Sequence, residues 1–308
     1  MENRAIIDIG SNSIKVLIYE VNSCGFRVID SDKRRIRLSC YLDDNRYLAE
    51  EGINKAINTL KEFKALCSIN SVKEIYAVAT EAIRRAENKC EFCNKVKLQL
   101  GIDIRILSGD EEAFYGYLAI KNSINEKNGI LLDIGGASLE MTLLRDGNIK
   151  STVSLPLGSI PLTKMFNNVL KPSDNENLEK FIVEQLDNIP WIKKNNNLNI
   201  IGIGGTARNI GKVNIIGKNK SNDNLNNYDI KINEIEELYK VIQGMNIKER
   251  DKIEGLSKER IEIFTAPLGA ILNIMKYCNS SKLIISELGV KEGVIYQSIL
   301  GEKDINKD

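Results

Sequence analysis

The chain has 308 residues, of which 43% are hydrophobic and 28% charged, and its 43 basic and 42 acidic residues give a formal net charge of +1. This composition is typical of a globular protein with room for two domains, and it supplies no overall basic field that would attract nucleic acid or an anionic membrane surface. The chain contains no histidine, which excludes Ser-His-Asp and Cys-His triads, histidine-ligated zinc and a histidine general base.

The first residues, MENRAIIDIG, do not resemble a secretory signal, and no apolar stretch approaches the roughly 18 residues that suggest a membrane span. The six cysteines lack the density and spacing of a disulfide framework. We therefore expect a protein of the reducing cytoplasm. Cys90 and Cys93 have the spacing of a redox or zinc site, but they lack a second pair and fall in a predicted helix, so we interpret them as two thiols on a helix.

Short apolar runs that end in glycine or small polar residues recur along the chain, and amphipathic segments lie between them. Such runs predict buried strands whose carboxyl ends lead into ligand-facing turns. The predicted strands lie in residues 5–13, 74–80, 102–109, 129–138, 198–207 and 282–289. Residues 48–66 and 177–189 carry apolar side chains at intervals of three and four and predict helices. Alternating strands and helices indicate an α/β fold.

An internal repeat relates IDIGSNSIKVLIYE (7–20) to LDIGGASLEMTLLR (132–145). The offset of 125 residues aligns Asp8 with Asp133 and Gly10 with Gly135. Each copy is an apolar strand that ends in an acid, followed by a Gly/Ser turn and a second strand. A repeat of this length predicts two duplicated domains, with a boundary in the polar stretch 121–129.

The two turns of this repeat are candidate phosphate-binding loops. Residues 10–13 (the first turn) and 135–138 (the second turn) present backbone N–H groups and short polar side chains to one point. An aspartate beside each turn would repel a phosphate unless a divalent cation lay between them, and oxygen ligands favour Mg²⁺ or Mn²⁺. The alternative is an ordinary hairpin with small turn residues; the matched copies favour the phosphate-binding interpretation.

Two helix starts between the turns carry candidate catalytic groups. In Ser108-Gly-Asp-Glu111-Glu112, the spacing of Ser108 and Glu111 is that of a capping box, which gives Glu111 a structural role. Glu112 is left as the favoured catalytic acid or base at the end of a strand. Arg84, near the helix start at 80–86, is a candidate phosphate ligand. The alternative is a solvated basic face, and we interpret the segment RRIRL (34–38) as such a face.

A third glycine-rich turn, Gly202-Ile-Gly-Gly-Thr-Ala207, follows a predicted strand. It superficially fits a dinucleotide fingerprint, but no strand that ends in an acid follows about 20 residues later. The P-loop pattern also fails, because the glycine spacing is one residue too long and Gly211-Lys212 is followed by valine. A turn that contacts phosphate or nucleotide is the interpretation that remains.

Taken in order, the motifs AIIDIGSNSIKVLI, RIRLSCYLDDN, ATEAIRRAEN, ILSGDEEA, LLDIGGASLE, GIGGTARNI and SELGVKEGVIY resemble the exopolyphosphatase / guanosine-pentaphosphate phosphatase family over essentially the whole chain. That family belongs to the superfamily of actin, sugar kinases and chaperone ATPases. The resemblance implies two duplicated actin-like (ribonuclease H-like) α/β domains with an interdomain cleft that holds phosphates. It also implies the short, two-domain form, with residues 1–124 plus 293–308 in one domain and 125–292 in the other.

The resemblance further implies roles for individual residues. Glu112 would activate the attacking water, and Asp133 and Glu140 would lie around magnesium. The implied phosphate-binding residues are Ser11, Asn12, Ser13, Arg84, Gly135, Gly136, Ser138, Gly204, Gly205 and Thr206. The substrates implied are inorganic polyphosphate and guanosine pentaphosphate, with no nucleic acid or membrane partner, and a homodimer is the expectation at the level of the family.

Two positions depart from the family pattern, which usually has glycine at 137 and threonine at 139; this chain has Ala137 and Leu139. Alanine costs little if its φ is negative, but it stiffens the loop. Leucine lacks a hydroxyl that could contact substrate or water. Two alternatives stay open. The first is a kinase or ATPase of the same superfamily, because an acid at Glu112 is compatible with either reaction. The second is a non-catalytic sensor of phosphorylated nucleotide, which the two departures favour.

Overall fold

The computed structural model describes residues 1–22, 25–121, 123–166, 172–218 and 224–300. The chain divides into two compact units: the first contains residues 1–112 and the residues from Val294 onward, and the second contains residues 113–293. The domain limits proposed from the sequence, 1–124 plus 293–308 and 125–292, stay a prediction. Residues 301–308 of the first domain lie outside the described residues. Among the described residues, no helix is both long and apolar enough to cross a membrane.

The first unit is built on one mixed sheet. Its strands are β1 (Glu2–Ile9), β2 (Ser13–Asn22), β3 (Gly25–Arg35), β4 (Val72–Ala79) and β5 (Ile104–Ile106). Its helices are α1 (Glu50–Ile69), α2 (Glu81–Arg85), α3 (Lys89–Leu100) and the start of α4 (Gly109–Lys121), with a 3₁₀ helix at Leu38–Tyr41. The strand order is β3-β2-β1-β4-β5. Strands β1, β4 and β5 are parallel to one another, whereas β2 and β3 are antiparallel to their neighbours.

The core of the first unit lies between one face of this sheet and helices α1 and α3. Alternate residues of β1 and β2, such as Ile7 and Val16, are buried against α1 residues such as Leu60 and Phe63. The buried residues of α1 recur at three and four positions along the helix, as an amphipathic helix requires. The hydrophobic pattern that predicted this helix therefore also determines which of its faces covers the sheet.

The second unit repeats the same plan with insertions. Its strands are β6 (Gly129–Ile134), β7 (Leu139–Arg145), β8 (Asn148–Leu155), β9 (Asn199–Ile203), β10 (Tyr228–Lys231) and β11 (Lys282–Ile285). Its helices are α5 (Ser159–Phe166), α6 (Pro172–Asp187), α7 (Pro190–Lys193), α8 (Gly204–Gly217), α9 (Ile232–Gln243), α10 (Ile247–Arg250), α11 (Thr265–Tyr277) and the start of α12 (Val290–Leu300), with a 3₁₀ helix at Ile261–Ile263.

The strand order of the second unit is β10-β11-β9-β6-β7-β8. Reversed, this is β8-β7-β6-β9-β11, the order and direction of β3-β2-β1-β4-β5, with β10 added at the edge. The duplication predicted from the sequence repeat is therefore confirmed. Helix α11 is apolar all round and buried, as expected for a helix enclosed by its neighbours.

The strands predicted from apolar runs are β1, β4, β5, β6, β9 and β11, and the two predicted amphipathic segments form α1 and α6. In each unit the parallel strands end at the same edge of the sheet. The turns and helix starts that follow those strands are therefore brought together at that edge, where ligand sites of open α/β sheets occur.

Candidate functional site

The first turn joins β1 to β2 as a tight hairpin. The Gly10 N–H donates to the Ser13 carbonyl at 3.1 Å. The chain that follows β3 then binds the turn through its carbonyl groups: the Arg37 N–H donates to the Asn12 carbonyl at 2.9 Å, and the Ser39 N–H donates to the Ser11 carbonyl at 3.2 Å. Ser11 is buried, and Asn12 and Ser13 are half-buried. The turn is thus held in one conformation by contacts outside its own hairpin.

Glu112 lies in the first turn of α4 and is buried. Arg84 of α2 forms an ion pair with Glu112 and another with Glu81, and it also donates to the Leu107 carbonyl at 2.6 Å. Burial alone would lower the pKa of Arg84, but the charges of Glu112 and Glu81 outweigh it and raise that pKa above its ordinary value. Arg84 therefore stays charged and holds the Glu112 carboxylate in place.

Glu111, the neighbour of Glu112, serves a different purpose. Its carboxylate accepts from the Ser108 N–H at 2.8 Å, and its own N–H donates to the Ser108 hydroxyl at 3.1 Å. These two bonds form the capping box predicted from the sequence. Burial raises the pKa of Glu111, but the hydrogen bonds from Ser108 and Arg105 outweigh it, so that the pKa lies below its usual range.

The second turn joins β6 to β7 in the same way as the first turn joins β1 to β2. The Gly135 N–H donates to the Ser138 carbonyl at 2.9 Å, and the Gly135 carbonyl accepts from both the N–H and the hydroxyl of Ser159 at 2.9 Å. The Gly136 carbonyl accepts from the N–H of the next residue, Ile160. Like the first turn, this turn is held by its carbonyl groups, here through the start of α5.

The two departures from the family pattern are accommodated differently. Ala137 does not adopt a positive φ, so its methyl group imposes no left-handed strain on the turn. Leu139 is buried and belongs to the hydrophobic core of the second unit. The side chain at position 139 therefore packs inward and stabilises the core.

Asp133 and Glu140 lie directly opposite each other on the antiparallel strands β6 and β7. Residues paired in this way share one face of the sheet, with Cβ atoms about 4.5–5.5 Å apart. Glu140 is buried and accepts a hydrogen bond from the Ser154 hydroxyl at 2.9 Å. Two carboxylates in this relation repel each other, so the arrangement is costly unless a positive charge lies beside it.

The start of α8 contacts the Asp133 carboxylate. Gly204 has φ +77°, and a Cβ at this position would collide with Asp133 Oδ1. A Cβ on the next residue, Gly205, would collide with the guanidinium of Arg260. Both glycines are therefore required by close approach of charged groups, and the N-terminus of a 14-residue helix begins between an acid and a base.

Arg260 was not found from the sequence. Its Nη1 donates to the Thr206 hydroxyl at 2.8 Å, and that hydroxyl donates to the Ile134 carbonyl at 2.9 Å. Burial, and to a lesser extent the charge of Arg208, lowers the pKa of Arg260 to about 10, while Asp133 acts in the opposite direction. Arg260 remains protonated at neutral pH. The hydrogen bonds from Arg260 to the Thr206 hydroxyl, and from that hydroxyl to the Ile134 carbonyl, connect the start of α8 to the end of β6.

The described residues contain no group of three or more Cys, Asp or Glu side chains that could hold a metal ion by themselves. The opposed carboxylates Asp133 and Glu140 nevertheless suit Mg²⁺, which is usually bound by one or two carboxylates, with water and substrate phosphates as its remaining ligands. The donor set is all oxygen, as Mg²⁺ or Mn²⁺ prefers. The residues present therefore fit a divalent cation shared with a phosphorylated ligand.

The predicted site residues fall into one group in each unit. In the first unit, the turn with Ser11, Asn12 and Ser13 and the pair Arg84 and Glu112 lie at one edge of the sheet, because they follow the parallel strands β1, β4 and β5. The second-unit group contains Asp133, Gly135, Gly136, Ser138, Glu140, Gly204, Gly205 and Thr206. Cys90 and Cys93 are free thiols on α3, and burial raises the pKa of Cys93. Both thiols thus lie on the helix that the sequence predicted.

Comparison with known proteins identifies relatives over nearly the whole chain. The model of the Ppx/GppA phosphatase family matches residues 17–302. A bifunctional 3-dehydroquinate synthase/phosphatase of Fusobacterium nucleatum is 30% identical over 96% of this chain and 46% of its own length. A guanosine-5'-triphosphate,3'-diphosphate pyrophosphatase of Aeromonas salmonicida is 25% identical over 95% of this chain and 58% of its own length. The chain therefore spans about half the length of these two curated relatives.

The solved structure of the Aquifex aeolicus member of the Ppx/GppA family is 26% identical, with a TM-score of 0.84, and the match covers 98% of this chain and 99% of the other. The predicted fold class, two duplicated α/β domains, is confirmed by the matching strand orders and by this structural likeness. The resemblance first inferred from the order of short motifs is confirmed as well. The chain belongs to the Ppx/GppA phosphatase family.

Proposed function

We propose that the chain is a phosphoanhydride hydrolase that releases terminal orthophosphate from inorganic polyphosphate or guanosine pentaphosphate. The observation that carries the proposal is the pair of opposed carboxylates, Asp133 and Glu140, beside a glycine turn and a helix N-terminus in a member of this phosphatase family. An acidic pair in that place suits a cation and a phosphate bound together.

Backbone donors supply phosphate binding in this proposal. In both turns the carbonyl groups are bound by neighbouring segments, and the N–H groups of Ser11, Asn12, Ser13, Gly136 and Ser138 then serve phosphate oxygens. The N-terminus of α8 adds the N–H groups of Gly204, Gly205 and Thr206 together with the positive end of the helix dipole.

Asp133 and Glu140 are the residues that would hold Mg²⁺ or Mn²⁺. A divalent cation there would neutralise charge on the transferring phosphoryl group and polarise its oxygens. The two carboxylates would hold the cation in place, and the hydrogen bond from the Ser154 hydroxyl fixes the Glu140 side chain. Arg260 interacts electrostatically with Asp133, and its positive charge limits the repulsion between this acidic pair and a polyanionic substrate.

Glu112 is the proposed general base that takes a proton from the attacking water for in-line displacement. Arg84 holds one oxygen of this carboxylate, which orients the group. Because Arg84 is shared between Glu112 and Glu81, we assign it a positioning role towards Glu112 in addition to the phosphate contact predicted from the sequence.

The first test is phosphate release from a panel of short and long polyphosphate, guanosine pentaphosphate and ATP, with Mg²⁺ and with excess chelator. We expect metal-dependent release of orthophosphate from chain ends. Full turnover in chelator, by protein that elemental analysis shows to be metal-free, would remove the cation from the mechanism. Early accumulation of mid-chain fragments would contradict release from chain ends.

The neighbouring glutamates provide a matched pair of variants. Glu112→Gln should lower kcat by about 10²–10⁴-fold, the range for loss of a positioned general base. Glu111→Gln should keep most activity, because glutamine also completes a capping box. A Glu112→Gln protein with parental turnover would overturn the assignment.

The two alternatives give different results in the same assays. A kinase of this superfamily would transfer phosphate only when an acceptor is present. A sensor would bind the ligand, as shown by a thermal shift, and would release no phosphate in the parent protein. A homodimer stays a prediction, which sedimentation of the purified chain checks.

A further inference from the structure

Cys90 and Cys93 lie near the start of α3, three residues apart and on one face of the helix. Both are free thiols: Cys90 is exposed, and Cys93 is half-buried against the core of the first unit. Helix geometry places Cα atoms three residues apart at about 5 Å, within the range of about 4.4–6.8 Å that a disulfide spans. The two thiols are therefore close enough to be joined to each other.

The regular helix does not have the side-chain spacing of a disulfide. Cβ atoms three residues apart on a helix are separated by about 5–6 Å, whereas a disulfide holds them about 3.5–4.5 Å apart. Closing the bond therefore changes the backbone between the two cysteines. The hydrogen bonding of α3 begins in this same stretch, where the Phe92 N–H donates to the Asn88 carbonyl at 3.1 Å. Little of the helix has to open for the bond to form.

The start of α3 is hydrogen-bonded to α2 and to the segment before α1. The Lys89 N–H donates to the Ala86 carbonyl at 3.2 Å, and Lys89 Nζ donates to the Arg84 carbonyl at 3.2 Å. The Asn88 side chain bonds both backbone groups of Leu48, at 2.8 and 3.0 Å. A change of backbone in the first turn of α3 would therefore shift the segment that carries Arg84.

The surroundings of the two sulfur atoms determine the order of their reactions. Burial, and to a lesser extent the charge of Cys90, raises the pKa of Cys93, so the exposed Cys90 is the first nucleophile. Its thiolate attacks one sulfur of a small disulfide, R–S–S–R, and releases R–S⁻. Cys93 then loses its proton to solvent and attacks the Cys90 sulfur, which releases the second R–S⁻. Two protein thiols are oxidised, and one small disulfide is reduced to two thiols.

We propose that Cys90 and Cys93 form a modification site, at which a small-molecule disulfide closes them into a reversible bond within α3. The bond opens the first turn of the helix and loosens its hydrogen bond to the Arg84 carbonyl. A disulfide that deviates from its preferred geometry is more easily reduced. The site is therefore a reversible one and not a structural bridge.

An effect of this bond on catalysis rests on the proposed function. Arg84 forms an ion pair with Glu112, the proposed general base, so a shift of the Arg84 backbone displaces that carboxylate. A displacement of about 1 Å can lower a rate by about 100-fold. We expect kcat of the oxidised protein to fall by up to about 100-fold and to recover when dithiothreitol reduces the bond.

The test treats the full chain with glutathione disulfide, blocks the remaining thiols with iodoacetamide and measures the masses of tryptic peptides. Cleavage after Lys89 and Lys95 gives residues 90–95, CEFCNK, which contain both cysteines. We expect this peptide without alkylation and lighter than its reduced form by two hydrogen atoms. Cys93→Ser should instead keep glutathione on Cys90, because the second step then has no thiol. Separate glutathione adducts on both cysteines of the parent would overturn the proposal.

Cys40 provides the matched control, because it is an exposed free thiol outside α3. A glutathione adduct on Cys40 shows that the reagent has acted, and residues 90–95 that stay fully reduced in the same sample would overturn the proposal. Cys40→Ser should leave the disulfide in residues 90–95 unchanged. Loss of that disulfide in Cys40→Ser would mean that Cys40 is the true partner.

Hydrogen exchange tests the opening of the helix start. Exchange of the Phe92 amide should be about 2- to 10-fold faster in the oxidised protein, the factor that corresponds to loss of one hydrogen bond. Equal exchange in the oxidised and reduced forms would contradict the opening of the first turn. Because mass and exchange are measured without turnover, a parent protein that lacks phosphatase activity would refute the hydrolase and leave both results intact.

Discussion

Each unit has an aspartate at the same position of the equivalent hairpin, but the residue opposite that aspartate is basic in the first unit and acidic in the second. In the first unit, Asp8 lies opposite Lys15; in the second, 125 residues later, Asp133 lies opposite Glu140. The strand order around both hairpins is the same. The fold therefore places an aspartate at equivalent positions in both units. The residue opposite it on the neighbouring strand determines what each position can bind.

The difference separates two kinds of anion site. A cross-strand Asp–Lys pair is compensated and needs no further cation, so the first turn suits direct contact with phosphate. A cross-strand Asp–Glu pair gathers negative charge, which a divalent cation would stabilise. Duplication of one domain thus yields a candidate phosphate-binding hairpin and a candidate cation-binding hairpin, which differ in the charge of the residue opposite the aspartate.

A second difference concerns the helix that follows the central parallel strand. In the first unit this is α2, five residues long, whose Arg84 is shared by Glu81 and Glu112. In the second unit it is α8, 14 residues long, which begins with Gly204 and Gly205 against Asp133 and Arg260. The first unit orients a carboxylate there, whereas the second places a helix N-terminus beside Asp133.

Loss of the acidic pair should have the largest effect. Glu140→Gln keeps the Ser154 contact but removes half of the negative charge from the pair. A metal ion contributes several kcal/mol to catalysis, and each 1.36 kcal/mol is a factor of ten, so we expect kcat to fall at least on the order of 100-fold. Phosphate release at saturating Mg²⁺ measures it, and turnover within a few-fold of the parent would contradict the account.

The close approach at α8 should give the next largest effect. Gly204→Ala places a methyl group against Asp133 Oδ1 at a positive φ, which should cost about 1–2 kcal/mol of unfolding free energy and lower activity. Gly217→Ala, at the other end of the same helix, meets no atom within 4 Å and serves as the control. Thermal unfolding of both variants decides; equal stability would show that the site tolerates the methyl group.

The opposed charges should act on stability with opposite signs in the two units. In chelator, Glu140→Gln should raise the unfolding free energy by about 0.2–1 kcal/mol, because it removes like-charge repulsion. Lys15→Gln removes an attraction to Asp8 rather than a repulsion, so it should not stabilise the protein in the same buffer. Denaturant unfolding of both metal-free variants measures the difference. A destabilised Glu140→Gln protein would mean that Glu140 is already compensated within the chain.

The smallest effect concerns the helix start of the first unit. The folded-state pKa of Glu111 lies below its ordinary value of 4.5, so its contribution to stability is present above that value and is lost as pH falls through the folded pKa. The melting-temperature difference between the parent and Glu111→Gln should therefore be largest at neutral pH and vanish in acid. A difference that grows as the pH falls would contradict the sign.

Local features of this fold could be predicted from the sequence, while contacts between distant segments could not. The repeat of Asp8 and Asp133 gave the duplication, and the Ser108–Glu111 spacing gave the capping box, since both depend on short-range pattern. Arg260 lies 54 residues after Thr206, and nothing in its own segment indicates that contact.

The β3 register shows the same limit. RRIRL has an unremarkable basic pattern, and only the pairing of Arg35 with Ser13 reveals its place beside the first turn. Likewise, the ion pair that joins Arg84 to Glu112 follows from the adjacency of β4 and β5, whereas the pair with Glu81 lies within α2. A side chain's neighbours across a sheet depend on strand order, which the motif containing Arg84 does not specify.

The most direct measurement is Mn²⁺ binding, followed by electron paramagnetic resonance on metal-stripped protein in the presence of orthophosphate. We predict that the parent binds Mn²⁺ and that Asp133→Asn and Glu140→Gln each abolish or strongly weaken that binding. Asp8→Asn should leave it unchanged, because Asp8 lies opposite a lysine whereas Asp133 lies opposite a second carboxylate. Equal Mn²⁺ affinity in the parent and in Glu140→Gln, or a loss of binding in Asp8→Asn alone, would contradict it.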